Sequence, residues 1–207
     1  MTRRHVVVTA GPTREYVDPV RYLSNASSGR MGFAIAEAAR ARGDRVTLIA
    51  GPVALETPQR VERVDVVSAR DLLAAVRAAF AEADALYMCA AVSDWRPRRR
   101  LRAKWRKSET DGDSTTLELV KNPDVLATVA RRKGERLVVG FALETGDGLT
   151  RAKAKLVAKN ADYIALNDAS ALDVERSSLT IVGRAGVVAT WSKRTKRELA
   201  ERLVELR

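Results

Sequence analysis

The stretch SNASSGRMG, Ser24–Gly32, lies between a valine-rich run and an alanine-rich run. It holds two glycines and three serines but no acidic residue. The run before it, VVVT at Val6–Thr9, predicts a buried strand, and a helix is expected from about Arg30 to Arg42. In folds that alternate strands and helices, ligands bind at the carboxyl ends of the strands. The loop therefore occupies the position at which such folds hold a phosphate group.

A bare backbone at the start of a helix favours anion binding. The amino terminus of a helix leaves N–H groups unpaired and carries a partial positive charge. Four small residues leave this backbone accessible to an anion: Ser27, Ser28, Gly29 and Gly32. The common fingerprints are absent, since only the last part of G-x-G-x-x-G occurs and there is no Gly-Lys-Ser/Thr. The stretch predicts a phosphate site outside those two classes, with an ordinary glycine-rich turn as the alternative.

Strand and helix patterns alternate along the chain. Further strands are predicted by apolar and β-branched runs: RVTLIAG (Arg45–Gly51), RVERVDV (Arg60–Val66, an edge strand), ALYMCAA (Ala85–Ala91), TLELV (Thr116–Val120), LVVGFA (Leu137–Ala142) and DYIALND (Asp162–Asp168). Helices are predicted after the cap Ser68, after Asn122-Pro123-Asp124, from about Leu149 to Lys159, and over Lys193–Leu206. A hairpin is predicted around Arg184–Gly186. We expect one α/β domain over residues 1–207, a Rossmann-like three-layer sandwich with a mainly parallel sheet and an antiparallel edge hairpin.

The composition excludes several kinds of site. The single cysteine, Cys89, rules out an internal disulfide, and the single histidine, His5, leaves zinc or triad chemistry poorly supported. His5 stands at the start of the first strand and is expected to be a surface residue. The amino terminus lacks a signal-peptide pattern and no apolar run is long enough to cross a membrane, so we expect a soluble cytoplasmic protein.

The net charge of +11 is concentrated in one segment. RPRRRLRAKWRK, Arg96–Lys107, contains eight basic residues and no acid, and so accounts for eight of the eleven net positive charges. From Ser93 to about Ser114 the sequence shows neither a helix pattern nor a strand pattern. The segment is either a mobile solvated loop or a clamp for polyanions, such as nucleic acid or the phosphates of a nucleotide.

Several blocks resemble one family, in order, along nearly the whole chain. They are TAGPTREYVDPVRYLSNASSGRMGFAIAEAA, AGPV, TPQRVERVDV, CAAVSDWRP, LELVKNPDVLA, VVGFALET and KLVAKNADYIALND. These blocks resemble bacterial phosphopantothenoylcysteine synthetase, also called phosphopantothenate–cysteine ligase, without the decarboxylase that is fused to it in many bacteria. A collinear set of this kind is far more specific than one short motif.

The resemblance implies an activity. Members of this family join 4′-phosphopantothenate and cysteine into an amide during coenzyme A synthesis. The bacterial members use CTP, which activates the pantothenate carboxylate as an acyl-cytidylate before the cysteine amine attacks and CMP leaves. Mg²⁺ is expected only on the triphosphate, with no protein ligand assigned. The resemblance also implies a homodimer. The sequence alone does not decide whether the nucleotide is CTP or ATP, because the choice of base depends on fine pocket geometry.

By the same resemblance, two residues take catalytic roles. Asn25 corresponds to the catalytic asparagine, whose amide hydrogen-bonds the acyl oxygens. Lys104 corresponds to the catalytic lysine of a basic flap, at about residues 96–110, that closes over the nucleotide. The substrate-binding positions are Arg21, Asn25, Ala90 and Ala91. From the residues alone, an asparagine that caps a turn is the preferred interpretation of Asn25, and a surface ion pair is the alternative for Arg21.

The resemblance also implies a set of nucleotide-binding positions. They are Gly11, Ser28, Gly29, Met31, Gly32, Ala90, Asp94, Lys104, Lys121, Asn122, Pro123, Asp124, Phe141, Lys155 and Lys159. From the residues alone, Asp94 is equally a turn aspartate, and the block at Asn122 is equally a helix start. Lys155 and Lys159 are four apart and share a helix face, which suits a polyphosphate but is also common on solvated surfaces.

The chain departs from the family pattern in three places. In SSGRMG, Arg30 takes the place of a common lysine, a change that we expect to have the milder effect. In the flap block, which is Lys-x-Lys-Lys in the family and KWRK here, Arg106 replaces a lysine and Trp105 replaces an aliphatic residue. Arg98–Arg102 adds further arginines, which keep the charge but change its geometry. The loop after Ser170 is shorter than in relatives, a change that we expect to be peripheral to the substrate pocket.

Two other classes of function are alternatives. An NAD(P)-dependent oxidoreductase of similar fold predicts a third fingerprint glycine and an acid at the end of the second strand, but that strand ends VTLIAGP. A nucleic-acid-binding protein would use Arg96–Lys107, with Trp95 and Trp105 stacked on bases, and would bind with strong salt dependence. This second alternative leaves Asn25 and the AAVSD block without a role. We therefore expect neither a nucleic-acid partner nor a membrane partner.

Overall fold

Residues 3–106, 114–144, 146–168 and 176–207 are described by the structure, a computed structural model. The strands are β1 (His5–Ala10), β2 (Arg14–Tyr16), β3 (Tyr22–Ser24), β4 (Arg45–Ala50), β5 (Glu62–Asp65), β6 (Ala85–Met88), β7 (Trp95–Pro97), β8 (Leu119–Lys121), β9 (Leu137–Glu144), β10 (Tyr163–Asp168), β11 (Arg176–Gly183) and β12 (Gly186–Thr195). The helices are α1 (Arg30–Ala41), α2 (Ala69–Phe80), α3 (Val125–Ala130), α4 (Gly148–Lys159) and α5 (Lys196–Leu203).

Eight strands form the central sheet, in the order β12-β11-β10-β9-β6-β1-β4-β5. All neighbours from β10 to β5 are parallel, whereas β11 and β12 pair antiparallel with β10 and with each other. The short strand β5 is an edge, as its alternating sequence predicted. The predicted Rossmann-like α/β fold with an antiparallel edge hairpin is confirmed.

Helices cover both faces of the sheet, which gives three layers. The side chains of the central strand β1 alternate between the two faces, because successive strand residues point in opposite directions. Val6 and Val8 belong to one core with Ile35 of α1, and Val7 belongs to the other core with Leu72 of α2. All five are fully or almost fully buried, and a side chain of this size contributes about 1.5–3 kcal/mol when buried.

Polar caps fix where the helices begin. Ser68, the predicted cap of α2, forms a capping box with Asp71, and the Asp124 side chain caps α3. A second box, from Thr195 and Glu198, starts α5 three residues later than the predicted tail helix. The longest of these helices have twelve residues, and no helix within the described ranges is long and apolar enough to cross a membrane.

The structure corrects the prediction for the segment Ser93–Ser114. Trp95–Pro97 forms a short strand that pairs antiparallel with β8, Trp95 lying opposite Lys121. The predicted strand TLELV is shifted toward the carboxyl end, to Leu119–Lys121. These strands have three residues each and pair across a long excursion of the chain, so no local periodicity marks them. Part of the predicted flap, residues 107–110, lies outside the described residues, as does Ser170 with its shortened loop.

His5 is also corrected, from a surface residue to a buried one. Its side chain is 7% exposed, and its Nε2 lies 2.9 Å from the hydroxyl oxygen of Thr47. Its backbone N–H donates to a carboxylate oxygen of Asp84 at 2.7 Å. His5 begins β1 and therefore lies at the edge of the sheet opposite the strand ends where ligands bind in this fold. Its role is structural.

Candidate functional site

The site lies where the order of the strands reverses. After β1 the chain passes to β4 and β5 on one side, and β6 then returns to the other side of β1. The loops after β1 and β6 meet at this point: the Ala91 N–H donates to the Gly11 carbonyl at 2.9 Å, and the Thr13 N–H donates to the Ala91 carbonyl at 3.2 Å. Such a reversal opens the crevice in which doubly wound folds bind ligands.

Two glycines bring the loop before α1 against the loop after β1. Gly11 and Gly29 have φ values of +77° and +76°, a region that favours glycine. A Cβ at Gly29 would lie 3.4 Å from the backbone nitrogen of Gly11, and a Cβ at Gly11 would lie 2.9 Å from a methyl carbon of Val53. Gly29 is the N-cap of α1, so the free N–H groups of the first helical turn face this junction. Ser28 and Met31 flank it in the same loop and first turn.

Gly32 has a packing role. A Cβ at this position would lie 2.6 Å from the Cβ of Ala10 and 2.8 Å from the carbonyl oxygen of Thr9. The missing side chain lets α1 approach β1 closely, which places the amino terminus of α1 at the strand ends. The nucleotide-binding role that the resemblance implies for Gly32 stays a prediction.

Asn25 joins the loop before α1 to the loop after β6. Its side-chain N–H donates to the Val92 carbonyl at 3.0 Å, and the residue is exposed. The preceding Ser24 hydroxyl donates to the Thr13 carbonyl at 2.8 Å. Asn25 therefore bridges two segments distant in sequence and does not cap its own turn. Its amide lies at the border between the glycine loop and the cavity that contains Val92.

A cavity of about 470 Å³ opens at the carboxyl ends of β6 and β9. It collects nine of the predicted nucleotide-binding residues: Ala90, Asp94, Lys121, Asn122, Pro123, Asp124, Phe141, Lys155 and Lys159. The remaining lining residues are Met88, Val92, Ser93, Trp95, Val125 and Leu126. The other predicted positions lie outside this lining. Gly11, Ser28, Gly29, Met31 and Gly32 form the neighbouring glycine loop, and Ala91 links the two parts. Arg21 donates a hydrogen bond to the carbonyl of Trp105, the residue that follows Lys104.

Lys155 and Lys159 place positive charge in the cavity. The Lys155 ammonium donates to the Phe141 carbonyl at 2.7 Å, and desolvation together with the nearby Lys159 lowers its pKa, against the opposing effect of three carboxylates. Lys159 forms an ion pair with Asp124. An anion in the cavity would therefore stabilise the charged form of Lys155, since it would offset both causes of the lowered pKa.

Asn122 offers an unused acceptor. Its side-chain N–H donates to the Ser93 carbonyl at 2.8 Å, and its backbone N–H donates to the Asp94 carbonyl at 2.8 Å. Its Oδ1 is buried and has no hydrogen-bond partner in the part of the chain that the structure describes. A buried acceptor of this kind is costly unless a donor reaches it. Asn122 also lines the cavity, so this unpaired acceptor belongs to a residue of the cavity wall.

Buried threonines that the sequence analysis missed hold the loop after β6 in place. Thr9 accepts a hydrogen bond from the Ala90 N–H at 3.0 Å, and Thr13 accepts one from the Ser93 N–H at 3.0 Å. Both side chains are almost fully buried. Their only signal was a pair of hydroxyl residues at the end of an otherwise apolar strand, in VVVTAGPT. They position backbone atoms of the site without facing the cavity themselves.

Asp18 is a second residue that the sequence analysis missed. Its carboxylate is fully buried and binds the guanidinium of Arg21 through Nε at 2.9 Å and Nη2 at 2.6 Å. Arg21 is thus held in an ion pair, which was the alternative interpretation of this residue. The signal was the Asp-Pro pair three residues before Arg21, which is typical of a turn.

Cys89 adjoins the site but is not a reactive thiol. Burial raises its pKa to about 12, against the opposing effect of the Lys196 charge, so the thiolate is scarce at pH 8. We predict that Cys89 reacts with Ellman's reagent about 100-fold or more slowly in the folded protein than in urea, because the thiolate is the nucleophile. Rapid labelling of one thiol per native chain would contradict this prediction.

Comparison with known proteins identifies a family and several similar sequences. The family model described as the DNA/pantothenate metabolism flavoprotein C-terminal domain matches residues 1–206. The chain is 50% identical to the coenzyme A biosynthesis bifunctional protein CoaBC of Escherichia coli over 167 residues, which cover 80% of this chain and 41% of that protein. It is 44% identical to the same-named protein of Haemophilus influenzae over 204 residues, 97% of this chain and 50% of that protein.

A solved structure covers nearly the whole chain. The C-terminal domain of a CoaBC protein superimposes with a TM-score of 0.83 and 36% identity, over 98% of this chain and 92% of that domain. The chain spans half or less of the length of the two curated relatives described above. It therefore matches the carboxyl-terminal part of proteins of this kind. The chain belongs to the family of the DNA/pantothenate metabolism flavoprotein C-terminal domain, as its sequence blocks predicted.

Proposed function

We propose that this chain is a phosphopantothenate–cysteine ligase of coenzyme A biosynthesis. It joins 4′-phosphopantothenate and L-cysteine into phosphopantothenoylcysteine, with CTP converted to CMP and pyrophosphate. One observation carries the proposal: the cavity with Lys155 and Lys159 meets the glycine loop and Asn25 at the reversal of the strand order. Family membership, with relatives that are CoaBC proteins, supports the same reaction.

The cavity is proposed to hold the nucleotide. Lys121, Lys155 and Lys159 supply positive charge for phosphates, and the free N–H groups of α1 supply hydrogen-bond donors at the neighbouring loop. The unpaired Oδ1 of Asn122 suits the amino group of a cytosine base, because that group is a hydrogen-bond donor. Adenine also carries an amino group, so the proposal of CTP rests on the resemblance as well as on this acceptor.

Mg²⁺ is proposed to enter with the triphosphate. Within the described ranges, no three side chains of His, Cys, Asp or Glu gather into a metal site. Among the described residues that line the cavity, Asp94 and Asp124 are the only carboxylates, and Asp124 is already paired with Lys159. This donor set fits an ion held mainly by phosphate oxygens, as is usual for Mg²⁺. The ion would neutralise charge on the phosphates.

The chemistry is proposed to take place beside Asn25. A carboxylate oxygen of phosphopantothenate bonds to the α-phosphorus of CTP, and the bond to pyrophosphate breaks. The amine of cysteine then bonds to the acyl carbon, its proton is lost, and CMP leaves with the former carboxylate oxygen. The Asn25 amide can donate to the acyl oxygen as negative charge develops there. Arg21, whose side chain is 49% exposed, can pair with an acidic group of the substrate.

Lys104 and a second copy of the chain complete the proposal. Lys104 is exposed, lies in the flap, and can bring positive charge to the reacting phosphate.

The substrate side of the site is open in a single chain, because Asn25 and Arg21 are exposed too. We propose that a homodimer covers it. Sedimentation of the purified chain tests this, and a monomer at the concentrations used for activity would contradict it.

Product analysis tests the proposed reaction. The purified chain is mixed with Mg²⁺, 4′-phosphopantothenate, cysteine and either CTP or ATP, and products are measured by mass spectrometry. Phosphopantothenoylcysteine and CMP in equal amounts are expected with CTP. Product with ATP alone would keep the ligase and overturn the choice of cytidine. Absence of the amide with both nucleotides would contradict the proposed function.

Lys155 is predicted to be needed for nucleotide affinity. In Lys155→Gln we expect the KM for CTP to rise about 10- to 100-fold, because one charge-assisted contact to phosphate is lost from a desolvated site. The matched control is Lys153→Gln, since Lys153 lies on the same helix but does not line this cavity. Steady-state kinetics at saturating cysteine measure both variants. An equal KM in the two variants would contradict the placement of the phosphates.

A further inference from the structure

The Asp18 carboxylate gathers five N–H donors. Its Oδ1 accepts from the backbone N–H groups of Val20 at 2.7 Å and Arg21 at 2.8 Å. Its Oδ2 accepts from Nε and Nη2 of Arg21 and, at 3.0 Å, from the backbone N–H of Trp105. Trp105 is 87 residues away in sequence and belongs to the basic flap. One buried carboxylate thus touches both the proposed substrate arginine and the flap.

This carboxylate stays ionised. Burial alone would raise its pKa, but the hydrogen bonds from the Trp105, Val20 and Arg21 backbones, and from the Arg21 side chain, outweigh burial and hold the pKa well below its usual range. When folding lowers the pKa of a carboxyl group, its charged form stabilises the fold at every pH above the pKa that it has in the unfolded chain. This stabilisation is lost only in strong acid, as the pH falls through the lower pKa of the folded state. Asp18 is therefore an anion throughout the pH range in which the reaction would be measured.

The flap contacts the Asp18–Arg21 pair at several points. Arg21 donates a hydrogen bond to the Trp105 carbonyl, and its guanidinium lies 5.7 Å from the centre of the Trp105 ring. The backbone N–H of Leu101 donates to the Val17 carbonyl at 2.8 Å. Lys104, the proposed catalytic lysine, lies between these two anchored positions. It is exposed and forms no ion pair with any residue that the structure describes.

The geometry leaves one edge of Arg21 free. Nε and Nη2 face Asp18, and Nη1 forms no hydrogen bond within the described part of the chain. The guanidinium is rigid and planar, so fixing one edge also fixes the direction of the other. Asp18 therefore sets the orientation in which Arg21 can meet an acidic group, while its bond to Trp105 sets the position of the residue next to Lys104.

We propose that Asp18 is a positioning residue that couples the substrate arginine Arg21 to the flap lysine Lys104. The proposal rests on the proposed ligase function for its catalytic consequence, but the tether between Asp18 and Trp105 can be tested without activity. Asp18 itself touches no reacting atom. Its effect passes through Arg21 on one side and through the backbone of Trp105 on the other.

Asp18→Asn tests the coupling, because it keeps the size of the side chain and removes its charge. Limited digestion with trypsin measures how accessible the flap is, because trypsin cleaves after its arginines and after Lys104. We expect cleavage between Arg98 and Arg106 to become about tenfold faster, the effect of weakening hydrogen bonds to a charged group. The KM for 4′-phosphopantothenate should rise and kcat should fall, each about tenfold. The control, Asp65→Asn, changes an exposed aspartate that is paired with Arg63 and is not among the described residues lining the cavity, and it should alter none of these three quantities.

A pair of variants at Trp105 separates the tether from general loss of stability. Trp105→Pro removes the N–H that Asp18 accepts and leaves the bonds between Asp18 and Arg21 in place. Trp105→Leu keeps the N–H and removes only the ring. Faster cleavage after the arginines at 98–102 in Trp105→Pro than in Trp105→Leu, at equal melting temperature in the unliganded state, is expected. Cleavage after Lys104 is left out of this comparison, because trypsin does not cut a bond that precedes proline.

Unchanged flap cleavage in both Asp18→Asn and Trp105→Pro would overturn the coupling. So would a loss of activity in Asp18→Asn that follows its melting temperature with no change in KM. If the parent chain makes no amide but the cleavage pattern follows the prediction, the proposed function fails and the tether stands. The two failures are therefore distinguishable.

Discussion

Asn25→Ala is expected to form the amide about 100- to 1000-fold more slowly than the parent chain, the usual effect of removing one donor at a developing oxyanion. Asn25 is exposed beside the cavity, and among the described residues its side-chain N–H donates only to the Val92 carbonyl. Its loss should therefore change the energy of the acyl oxygen in the transition state far more than it changes folding. Because Asn25 does not line the nucleotide cavity, the affinity for CTP should stay within about twofold.

The measurement is single-turnover kinetics with separate detection of pyrophosphate and amide. In Asn25→Ala, the rate of pyrophosphate release is expected to fall less than the rate of amide formation, because Asn25 is proposed to act while cysteine attacks. Asn25→Asp should be at least as slow, because a carboxylate lacks the donor and repels the developing charge. A decrease of less than about threefold in the alanine variant would show that Asn25 is not an oxyanion donor.

Gly51→Ala is expected to lower the free energy of unfolding by about 3 kcal/mol, at the upper end of the range for overpacking. A Cβ at Gly51 would lie 1.8 Å from the carbonyl oxygen of Pro12, which is a backbone atom that cannot rotate away. Pro12 follows the central strand and pairs with Ala91 at the reversal of the strand order. Relief of the clash must move this junction, so activity should fall together with stability.

Urea unfolding measures the change in stability, and Gly134→Asn is the control. Gly134 has a φ of +58° and open space around it, and asparagine tolerates this region better than most residues. The control should cost less than about 1 kcal/mol, because no atom must move. Equal destabilisation in the two variants would mean that the junction of Gly51 and Pro12 is not close-packed.

The sequence predicted the elements that carry a local pattern. Ser68 and Asp71 show the spacing of a capping box, and the structure has that box. The central strand at Val6–Thr9 shows a β-branched run, and the structure places it in the middle of the sheet. The short strands β2, β3 and β7 have no such pattern. They are fixed by pairing with distant or turn-linked segments, which no local periodicity records.

The candidate site was predictable to the extent that its residues stand at strand ends. Ala90 and Phe141 are far apart in sequence, but the neighbouring parallel strands β6 and β9 bring them to one edge of the sheet, where both line the cavity. Asn122 lines the same cavity but follows β8, which pairs with β7 outside the central sheet, so this argument does not place it. Buried polar residues were harder to predict. Asp18 and Thr13 act through hydrogen bonds to distant backbone, and a single sequence does not show which polar side chain will be buried.

The spacing of Lys155 and Lys159 predicts that they share a helix face, but it does not predict the surroundings of each lysine. Their separation of four residues predicted a shared helix face, and both line the cavity. Their surroundings differ, because Lys155 is desolvated and bonded to a carbonyl whereas Lys159 is paired with Asp124. Only the packing of α4 against β9 and the start of α3 sets this difference. We therefore expect Lys155 to be the more sensitive of the two to substitution.

The measurement that tests the central claim most directly follows the oxygen of the substrate carboxylate. The substrate is 4′-phosphopantothenate with heavy oxygen at both positions of its carboxylate. It is incubated with the chain, Mg²⁺, CTP and cysteine, and mass spectrometry measures the masses of the products. Activation as an acyl-cytidylate predicts one heavy oxygen in CMP and one in the amide. Heavy oxygen in inorganic phosphate, or amide formed with unlabelled CMP, would contradict the account.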